Sequence, residues 1–139
     1  MADAVVTSLI LVDTSVWIEF FRNGKSTVAY HLDELLSLNK VVMVSPIRAE
    51  ILSGARNPGE FHRLKDFFSV LTHLPEPENL WAQIEEIRFR LIRKGHTVSL
   101  IDLMIALTAS YYEVSLWSQD RDFEAIQREI SLHLYHPPL

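Results

Sequence analysis

The sequence predicts a single α/β domain in which a central, mainly parallel sheet carries helices on both faces. Short runs of consecutive branched apolar residues recur along the chain, as in strands that are buried on both sides. Segments with helical spacing of apolar residues separate these runs, so crossover connections are expected between parallel strands. The 139 residues suffice for one hydrophobic core and are too few for two domains of ordinary size. We therefore expect one domain over residues 1–139, with residues 1–8 as a short N-terminal extension.

The first part of the chain predicts a strand, two helices and a second strand. Leu9–Val12 is rich in branched residues and indicates a buried strand. The hydroxyl of Thr14 or Ser15 can cap a helix that continues through Phe21. Apolar residues at helical spacing predict the next helix, and a second apolar run predicts the next strand; these segments are Thr27–Leu38 and Val41–Val44.

The middle of the chain is mainly helical in pattern. Ser45 followed by Pro46 is typical of a helix start, with a capping hydroxyl and a proline at the first helical position, and this helix is expected to reach about Gly54. Residues 58–71 form an amphipathic stretch. His73–Leu74, directly before Pro75, predicts a short extra strand. Apolar residues at helical spacing begin at Leu80 and predict a long helix that ends at Gly95.

The last part of the chain predicts a buried helix followed by two strands around a short helix. Residues 99–112 are apolar almost all round, which indicates burial on every side. Val114–Trp117 is a third strand, Phe123–Glu129 a short helix, and Leu132–Tyr135 a weaker fourth strand.

Composition excludes several classes of site. With no cysteine, the chain has no disulfide, no thiolate zinc site and no cysteine nucleophile. The longest apolar run, Leu103–Leu107, is too short for a membrane span, and the start of the chain lacks the basic residues of a signal peptide, so we expect a cytoplasmic protein. A net charge of −5 argues against non-specific coating of nucleic acid but leaves nucleic acid open as a substrate.

Acidic residues stand where ligands bind in such sheets, beyond the carboxyl ends of the strands. Asp13 follows the first strand, Glu50 lies on the helix after the second, Asp102 begins the buried helix, and Asp120 and Asp122 follow the third long strand. Asp13 and Asp102 can also be explained as helix caps, and the last two as a solvated turn. Those local roles do not predict convergence, whereas clustered carboxylates repel one another and need a cation. Hard oxygen ligands without a Cys/His set favour Mg²⁺ or Mn²⁺.

Four motifs occur in order along nearly the whole chain: Leu11–Ser15, Ser45–Glu50, Asp102 with Ile105-Ala106, and Ser118–Phe123. Together they resemble the successive motifs of PIN-domain ribonucleases, and among these the VapC-like toxins of bacterial and archaeal toxin–antitoxin pairs. The resemblance implies a small α/β fold and endonucleolytic cleavage of RNA that depends on Mg²⁺, with Mn²⁺ as a substitute.

By motif match, the resemblance implies an acidic quartet of Asp13, Glu50, Asp102 and Asp120. Asp13, Asp102 and Asp120 would hold the ion directly or through waters, and Glu50 would coordinate or orient the attacking water. Asp122 is a fifth acid that some members use as a metal ligand, and we rank it below Asp120. The expected products carry 3′-hydroxyl and 5′-phosphate ends.

The resemblance also implies a supporting hydroxyl at Thr14 or Ser15, a homodimer, and a cognate antitoxin whose C-terminal segment covers the active-site groove. An exposed part of the aromatic first helix would suit such a segment. Three arginines near the acids in sequence are expected to contact the RNA; these are Arg48, Arg56 and Arg121. Arg121 alternatively only screens the neighbouring acids.

Two further groups of residues have ordinary explanations. The basic stretch 88–96 either offsets a helix dipole or contacts RNA or an acidic antitoxin. The six histidines lack metal-ligand spacing, and five of them are expected at the surface or in strands, namely His31, His62, His73, His133 and His136.

Other acidic α/β folds fit less well. A phosphotransfer receiver domain needs an aspartate at the end of its third strand and a later lysine after a strand, and neither is found. A haloacid-type phosphatase needs Asp-x-Asp after the first strand, but Ser15 holds the second position. A non-catalytic acidic module that binds a protein or RNA remains an alternative, and titration with Mg²⁺ or Mn²⁺ discriminates between the two.

Overall fold

The structure is a computed structural model that describes residues 9–139; the predicted extension, residues 1–8, lies outside the described residues. The described part of the chain forms four strands and seven helices. In chain order they are β1 (Ile10–Val12), α1 (Thr14–Arg22), α2 (Thr27–Ser37), β2 (Val41–Met43), α3 (Ser45–Ser53), α4 (Pro58–Ser69), β3 (Thr72–His73), α5 (Leu80–Arg93), α6 (Leu100–Tyr111), β4 (Ser115–Trp117) and α7 (Asp122–Gln127).

The four strands form one parallel sheet in the order β3-β2-β1-β4. Leu11 lies opposite Val42 on one side and Leu116 on the other, and Met43 lies opposite His73. All residues of β1, β2 and β4 are buried, so helices cover both faces of the sheet. The predicted fold class is therefore confirmed. The order of the strands reverses at β1, and the crevice between the ends of β1 and β4 is the position where such sheets bind ligands.

The predicted strand over Leu132–Tyr135 is reduced to a single bridge between Leu116 and Leu134. The Leu116 N–H donates to the His133 carbonyl at 2.9 Å, and the Tyr135 N–H donates to the Leu116 carbonyl at 2.7 Å. Two prolines follow at positions 137 and 138, and they lack the N–H groups that would extend the ladder.

Two helices begin differently from the sequence prediction. Asp13, and neither Thr14 nor Ser15, is the residue before α1, and its side chain makes no capping hydrogen bond. Likewise Val44 precedes α3, so that Ser45 is already helical. As a result these three hydroxyls are available for contacts other than capping.

The hydrophobic core lies between the sheet and the helices, and α6 runs through it. Leu103, Ala106 and Ala109 on α6 are fully buried, as the apolar pattern of this segment predicts. Trp17 is fully buried beside Phe68, with their ring centroids 5.1 Å apart. Among residues 9–139, no helix combines the length and apolar character needed to cross a bilayer.

Candidate functional site

The candidate site lies at the carboxyl edge of the sheet, over the crevice between β1 and β4. The N–H of Asp13, the first residue after β1, donates to the carbonyl of Trp117, the last residue of β4, at 2.9 Å. This hydrogen bond ties the two strand ends together. The loop from Ser118 to Asp122 follows directly, and Asp102 approaches from the first turn of α6.

Three of the predicted acids form a close group. Carboxylate oxygens of Asp102, Asp120 and Asp122 lie within 4.8 Å of one another. The loop fixes part of this geometry, because Asp120 Oδ1 accepts a hydrogen bond from the Asp122 N–H at 2.9 Å and Ser118 Oγ accepts one from the Asp120 N–H at 3.0 Å. Asp122 thus stands beside Asp120 in this cluster. An all-oxygen set at this spacing suits a hard divalent cation.

Asp13 is the most buried acid of the site, with 6% of its surface exposed. Its Oδ2 atom accepts hydrogen bonds from Ser118 Oγ at 2.7 Å and from Ser15 Oγ at 3.3 Å. Burial raises the pKa of Asp13, the hydrogen bonds from Ser118, the Thr14 backbone and Ser15 oppose that rise, and the charge of Glu50 adds to it. Two hydroxyl donors therefore orient a carboxylate that the interior would otherwise disfavour.

Asp102 is strongly perturbed by its surroundings. Burial raises its pKa to about 6, and repulsion by Asp120 and Asp13 contributes, while a hydrogen bond with Ser99 opposes the rise. The Ser99 hydroxyl also accepts the Asp102 N–H at 3.0 Å, so the predicted helix cap is present as well. The capping role and the membership in the cluster therefore coexist in one residue. A cation among these acids would relieve their repulsion.

Glu50 lies outside the close group of three acids. Its Oε1 atom accepts a hydrogen bond from Thr14 Oγ1 at 2.5 Å, and its charge acts on Asp13. Ser15, next in the chain, donates to Asp13 and accepts the Gln119 N–H at 3.0 Å. The two predicted hydroxyls therefore serve different acids. Thr14 binds Glu50 on α3, whereas Ser15 binds Asp13 directly after β1 and also the backbone of the loop after β4.

The three predicted arginines are placed very differently. Arg56 is exposed and forms an ion pair with Glu60 at 2.9 Å, and within residues 9–139 none of its ion pairs joins an acid of the cluster. Arg121 is exposed at the start of α7, and the ion pairs of the described residues do not include it. Arg48 is half-buried on α3; burial, and after it the nearby charge of Arg48, lowers the pKa of the His73 imidazole.

The basic stretch before α6 serves the fold at three of its positions. Arg90 and Lys94 both bind Glu129, at 3.2 and 2.5 Å, and Arg88 Nε donates to the Val98 carbonyl at 3.1 Å. These contacts tie the stretch to the rest of the fold, a role that neither explanation predicted, while Arg90 and Arg93 also lie in the last turn of α5, where the dipole explanation places them.

Two residues of the site region were missed by the sequence reasoning. Ser118 is the nearer hydroxyl donor to Asp13. Its position directly after β4, at the same edge of the sheet as Asp13, could have identified it from the sequence. His73 lies at the end of β3, where its Nε2 atom is 3.0 Å from Ser45 Oγ. Its exposed position in a strand was expected, but its partner was not.

A small cavity of about 130 Å³ lies beside Asp120. The loop after β4 and the chain segment around Tyr135 form its walls, and polar side chains among its lining residues are Gln119, Arg121 and His136. The acidic cluster therefore has a recess at its β4 side.

Comparisons with known proteins agree on one family. The PIN domain family model matches residues 10–129. A VapC ribonuclease of Mycobacterium bovis and ribonuclease VapC11 of Mycobacterium tuberculosis are each 33% identical over 128 residues, covering 89% of this chain and 96% of the relative.

Solved structures share the fold. The VapBC2 complex of Rickettsia felis, bound to a DNA fragment from its promoter, contains a chain that is 20% identical with a TM-score of 0.72; the match covers 91% of this chain and 97% of that one. VapBC-1 of nontypeable Haemophilus influenzae is also 20% identical, with a TM-score of 0.73 and coverage of 91% and 96%.

Proposed function

This chain belongs to the PIN-domain family, among relatives that are VapC ribonucleases, and from this premise we propose that it is a Mg²⁺-dependent endoribonuclease that acts as the toxin of a toxin–antitoxin pair. The observation that carries the proposal is the group of carboxylates from Asp102, Asp120 and Asp122 within 4.8 Å of one another, at the crevice between β1 and β4. We propose that the single PIN domain spans residues 1–139.

The donor chemistry of the cluster fits a divalent ion. Asp102, Asp120 and Asp122 would hold Mg²⁺, or Mn²⁺ in its place, and Asp13 would approach it directly or through water. When bound, such an ion supplies an activated water and neutralises charge on the phosphate that is attacked. In this assignment Asp122 joins Asp120 as a ligand, because the two carboxylates share the loop and both lie within 4.8 Å of the Asp102 carboxylate.

The remaining residues position these groups. Ser118 and Ser15 hold the Asp13 carboxylate in one orientation by hydrogen bonding to its Oδ2 atom. Thr14 does the same for Glu50, which would orient the attacking water or accept its proton. Attack on phosphorus by this water leaves 3′-hydroxyl and 5′-phosphate ends.

We further propose that cations near the acids contact the RNA, and that the protein acts in the cytoplasm. Arg121 lines the recess beside Asp120, and Arg48 lies on the same helix as Glu50. Arg56 would have to leave Glu60 before it could contribute.

The proposed partners are a cognate antitoxin and a second copy of the chain. The aromatic group around Trp17 presents Phe21 and Phe67, which are 44% and 37% exposed, as an apolar surface for an antitoxin segment. On α5, Trp81, Phe89 and Ile92 share one exposed side, which supports a homodimer contact. Reversing the polarity of each surface in turn, with antitoxin affinity and molecular mass as the two measurements, tests these assignments separately.

The decisive experiment measures RNA cleavage with Mg²⁺, with Mn²⁺ and with EDTA. We expect cleavage with either ion, none with EDTA, and a loss of about 100-fold or more in Asp120→Asn, because a metal ligand is removed. Asp33→Asn, which changes an exposed acid on α2, is the matched control and should cleave like the parent protein. Sequencing of the RNA ends then checks for 5′-phosphates.

The alternative is a non-catalytic module that binds protein or RNA. In that case neither ion would raise the melting temperature, and the parent protein and Asp120→Asn would both leave RNA intact. The proposed enzyme instead gains stability on addition of metal, because ligand binding to the native state stabilises it.

A further inference from the structure

A second polar group lies at the same edge of the sheet as the acids, beyond β2 and β3. His73 is the last residue of β3 and lies opposite Met43, the last residue of β2. Two residues after β2, Ser45 begins α3, and its Oγ atom is 3.0 Å from His73 Nε2. Arg48 follows one turn later on the same helix. Three chemically different side chains from two elements are therefore brought together.

Arg48 is a cation without an acidic partner in the described part of the chain. Ion pairs there join Arg56 to Glu60 and two other cations to Glu129, but none joins Arg48 to a carboxylate. Its Nε atom is buried and makes no hydrogen bond to the residues that the structure describes. A half-buried guanidinium in this state is free to bind an anion with its remaining N–H groups.

The neighbours of Arg48 add hydrogen-bonding groups but no opposing charge. Burial, followed by the charge of Arg48, lowers the pKa of His73, so its imidazole is neutral near neutral pH. A neutral imidazole and a serine hydroxyl can each donate or accept a hydrogen bond. The group thus offers one positive charge flanked by two polar groups that can each donate or accept a hydrogen bond. This combination suits a phosphodiester, which carries one negative charge.

We propose that Ser45, Arg48 and His73 form a phosphate-binding subsite that holds the RNA backbone one or two nucleotides away from the bond that is cut. This inference rests on the proposed function, because it takes RNA as the substrate of the acidic cluster. Arg48 and Glu50 share α3, and Thr14 at the start of α1 donates to Glu50, so the subsite is joined through Glu50 to the segment that carries Asp13. RNA bound along this edge would cross from β4 towards β3.

The subsite also answers an electrostatic difficulty of the cluster. Five acids at one edge repel a polyanion, and a bound divalent ion offsets only part of their charge. A cation two residues from Glu50 in sequence gives the RNA a positive contact outside the reacting centre. Such a contact fixes the register of the strand, since phosphate contacts position a nucleic acid without reading its bases.

The test uses a short RNA that the protein cuts, together with versions in which one phosphate at a time is replaced by an uncharged methylphosphonate. Cleavage is measured as separate kcat and KM values. Binding is measured in EDTA, without cleavage, by fluorescence anisotropy of the labelled RNA at several salt concentrations. The variants are Arg48→Gln, Arg48→Lys and His73→Gln, and the control is Arg22→Gln, which changes an exposed cation at the far end of α1.

We expect Arg48→Gln to raise KM and weaken binding by about 10-fold, with kcat nearly unchanged, because one charged hydrogen-bonded contact is lost. The slope of log affinity against log salt should fall by about 1, and Arg48→Lys should retain that slope. One methylphosphonate near the cut should weaken binding to the parent protein and have no further effect in Arg48→Gln. His73→Gln should show a smaller loss at the same phosphate, and Arg22→Gln none.

Several outcomes would overturn the subsite. Unchanged KM and binding in Arg48→Gln would do so, as would a methylphosphonate effect that persists in this variant. A variant that binds RNA normally but loses affinity for an acidic antitoxin peptide would assign the group to the protein partner instead. If the parent protein does not cut RNA, but one methylphosphonate weakens RNA binding to the parent protein and not to Arg48→Gln, the proposed function fails and the subsite remains. If the parent protein neither cuts nor binds RNA, both fail.

Discussion

Replacing Asp102 with asparagine tests whether burial and repulsion of this carboxylate destabilise the metal-free protein. Burial and the charges of Asp120 and Asp13 raise the pKa of Asp102 from 3.8 to about 6, so the native state favours its protonated form. The stability that protonated Asp102 contributes is fully present below its pKa in the unfolded state. It is lost as the pH rises through its pKa in the folded state. Without metal, the parent protein should therefore lose stability relative to Asp102→Asn over about pH 4 to 7.

The size of this loss follows from the shift. From 3.8 to about 6 corresponds to an upper bound of about 3 kcal/mol, at about 1.4 kcal/mol for each pKa unit. Because Asp102 is only partly buried, water screens the repulsion, and we expect about 1 to 2 kcal/mol. For a domain of this size that is a difference of roughly 3 to 8 °C in melting temperature.

The assay is thermal unfolding of both proteins in EDTA across this pH range, followed by the same series with Mg²⁺. The gap should widen with pH in EDTA and close when Mg²⁺ is added, because only the parent protein gains the full ligand set. Asp33→Asn should follow the parent protein throughout. A gap that stays constant from pH 4 to 7 in EDTA would refute the repulsion, and an equal gain of both proteins on Mg²⁺ addition would remove Asp102 from the ligand set.

Three further changes probe other parts of the molecule. Ser118→Ala removes the 2.7 Å donor to Asp13 and should lower metal affinity or cleavage by roughly 10- to 100-fold in titration calorimetry or RNA assays, whereas Ser37→Ala should not. Phe123→Ala empties a site that is 1% exposed under the acidic loop and should lower the free energy of unfolding in urea by about 3 to 5 kcal/mol; a loss below about 1 kcal/mol would contradict that packing. Lys94 and then Arg90 hold the pKa of Glu129 below its usual range. Glu129→Gln should therefore lower the melting temperature at neutral pH and have little effect once the pH falls through that pKa. An equal effect at both pH values would contradict the pairing.

The sheet and the buried helix followed from the sequence because burial dictates their composition. β1, β2 and β4 are covered on both faces, and only consecutive apolar residues satisfy that environment. The position of Asp13 and of the loop after β4 then followed from topology, since parallel strands bring their carboxyl ends to one edge. The tight placement of Asp122 beside Asp120 depends on a local hydrogen bond that residue order alone does not specify.

The partners of polar side chains were harder to predict. Ser45 looked like a helix cap, but Val44 precedes α3 and Ser45 binds His73 instead, 28 residues away. This contact depends on the register between β2 and the two-residue strand β3, for which the sequence carries almost no pattern. Arg56 is similar, because its proximity to the acids in sequence gave no sign that Glu60 binds it. Long side chains choose among several neighbours, and the choice is made by tertiary packing.

Most of the net charge of −5 can be assigned to the acids of the candidate site. Without the four acids of the proposed quartet the chain would carry only −1, so the quartet accounts for four of the five units of net negative charge. Burial, and to a lesser extent neighbouring carboxylates, raise the pKa values of Asp13 and Asp102, so the fold places these acids where their charged forms are disfavoured. A proposed divalent ion would relieve that repulsion and also reduce the field that opposes RNA, so stability and substrate binding are linked through the same carboxylates. Arg48 supplies the positive contact that remains when the ion is absent, which is why metal-free binding is the measurement that isolates it.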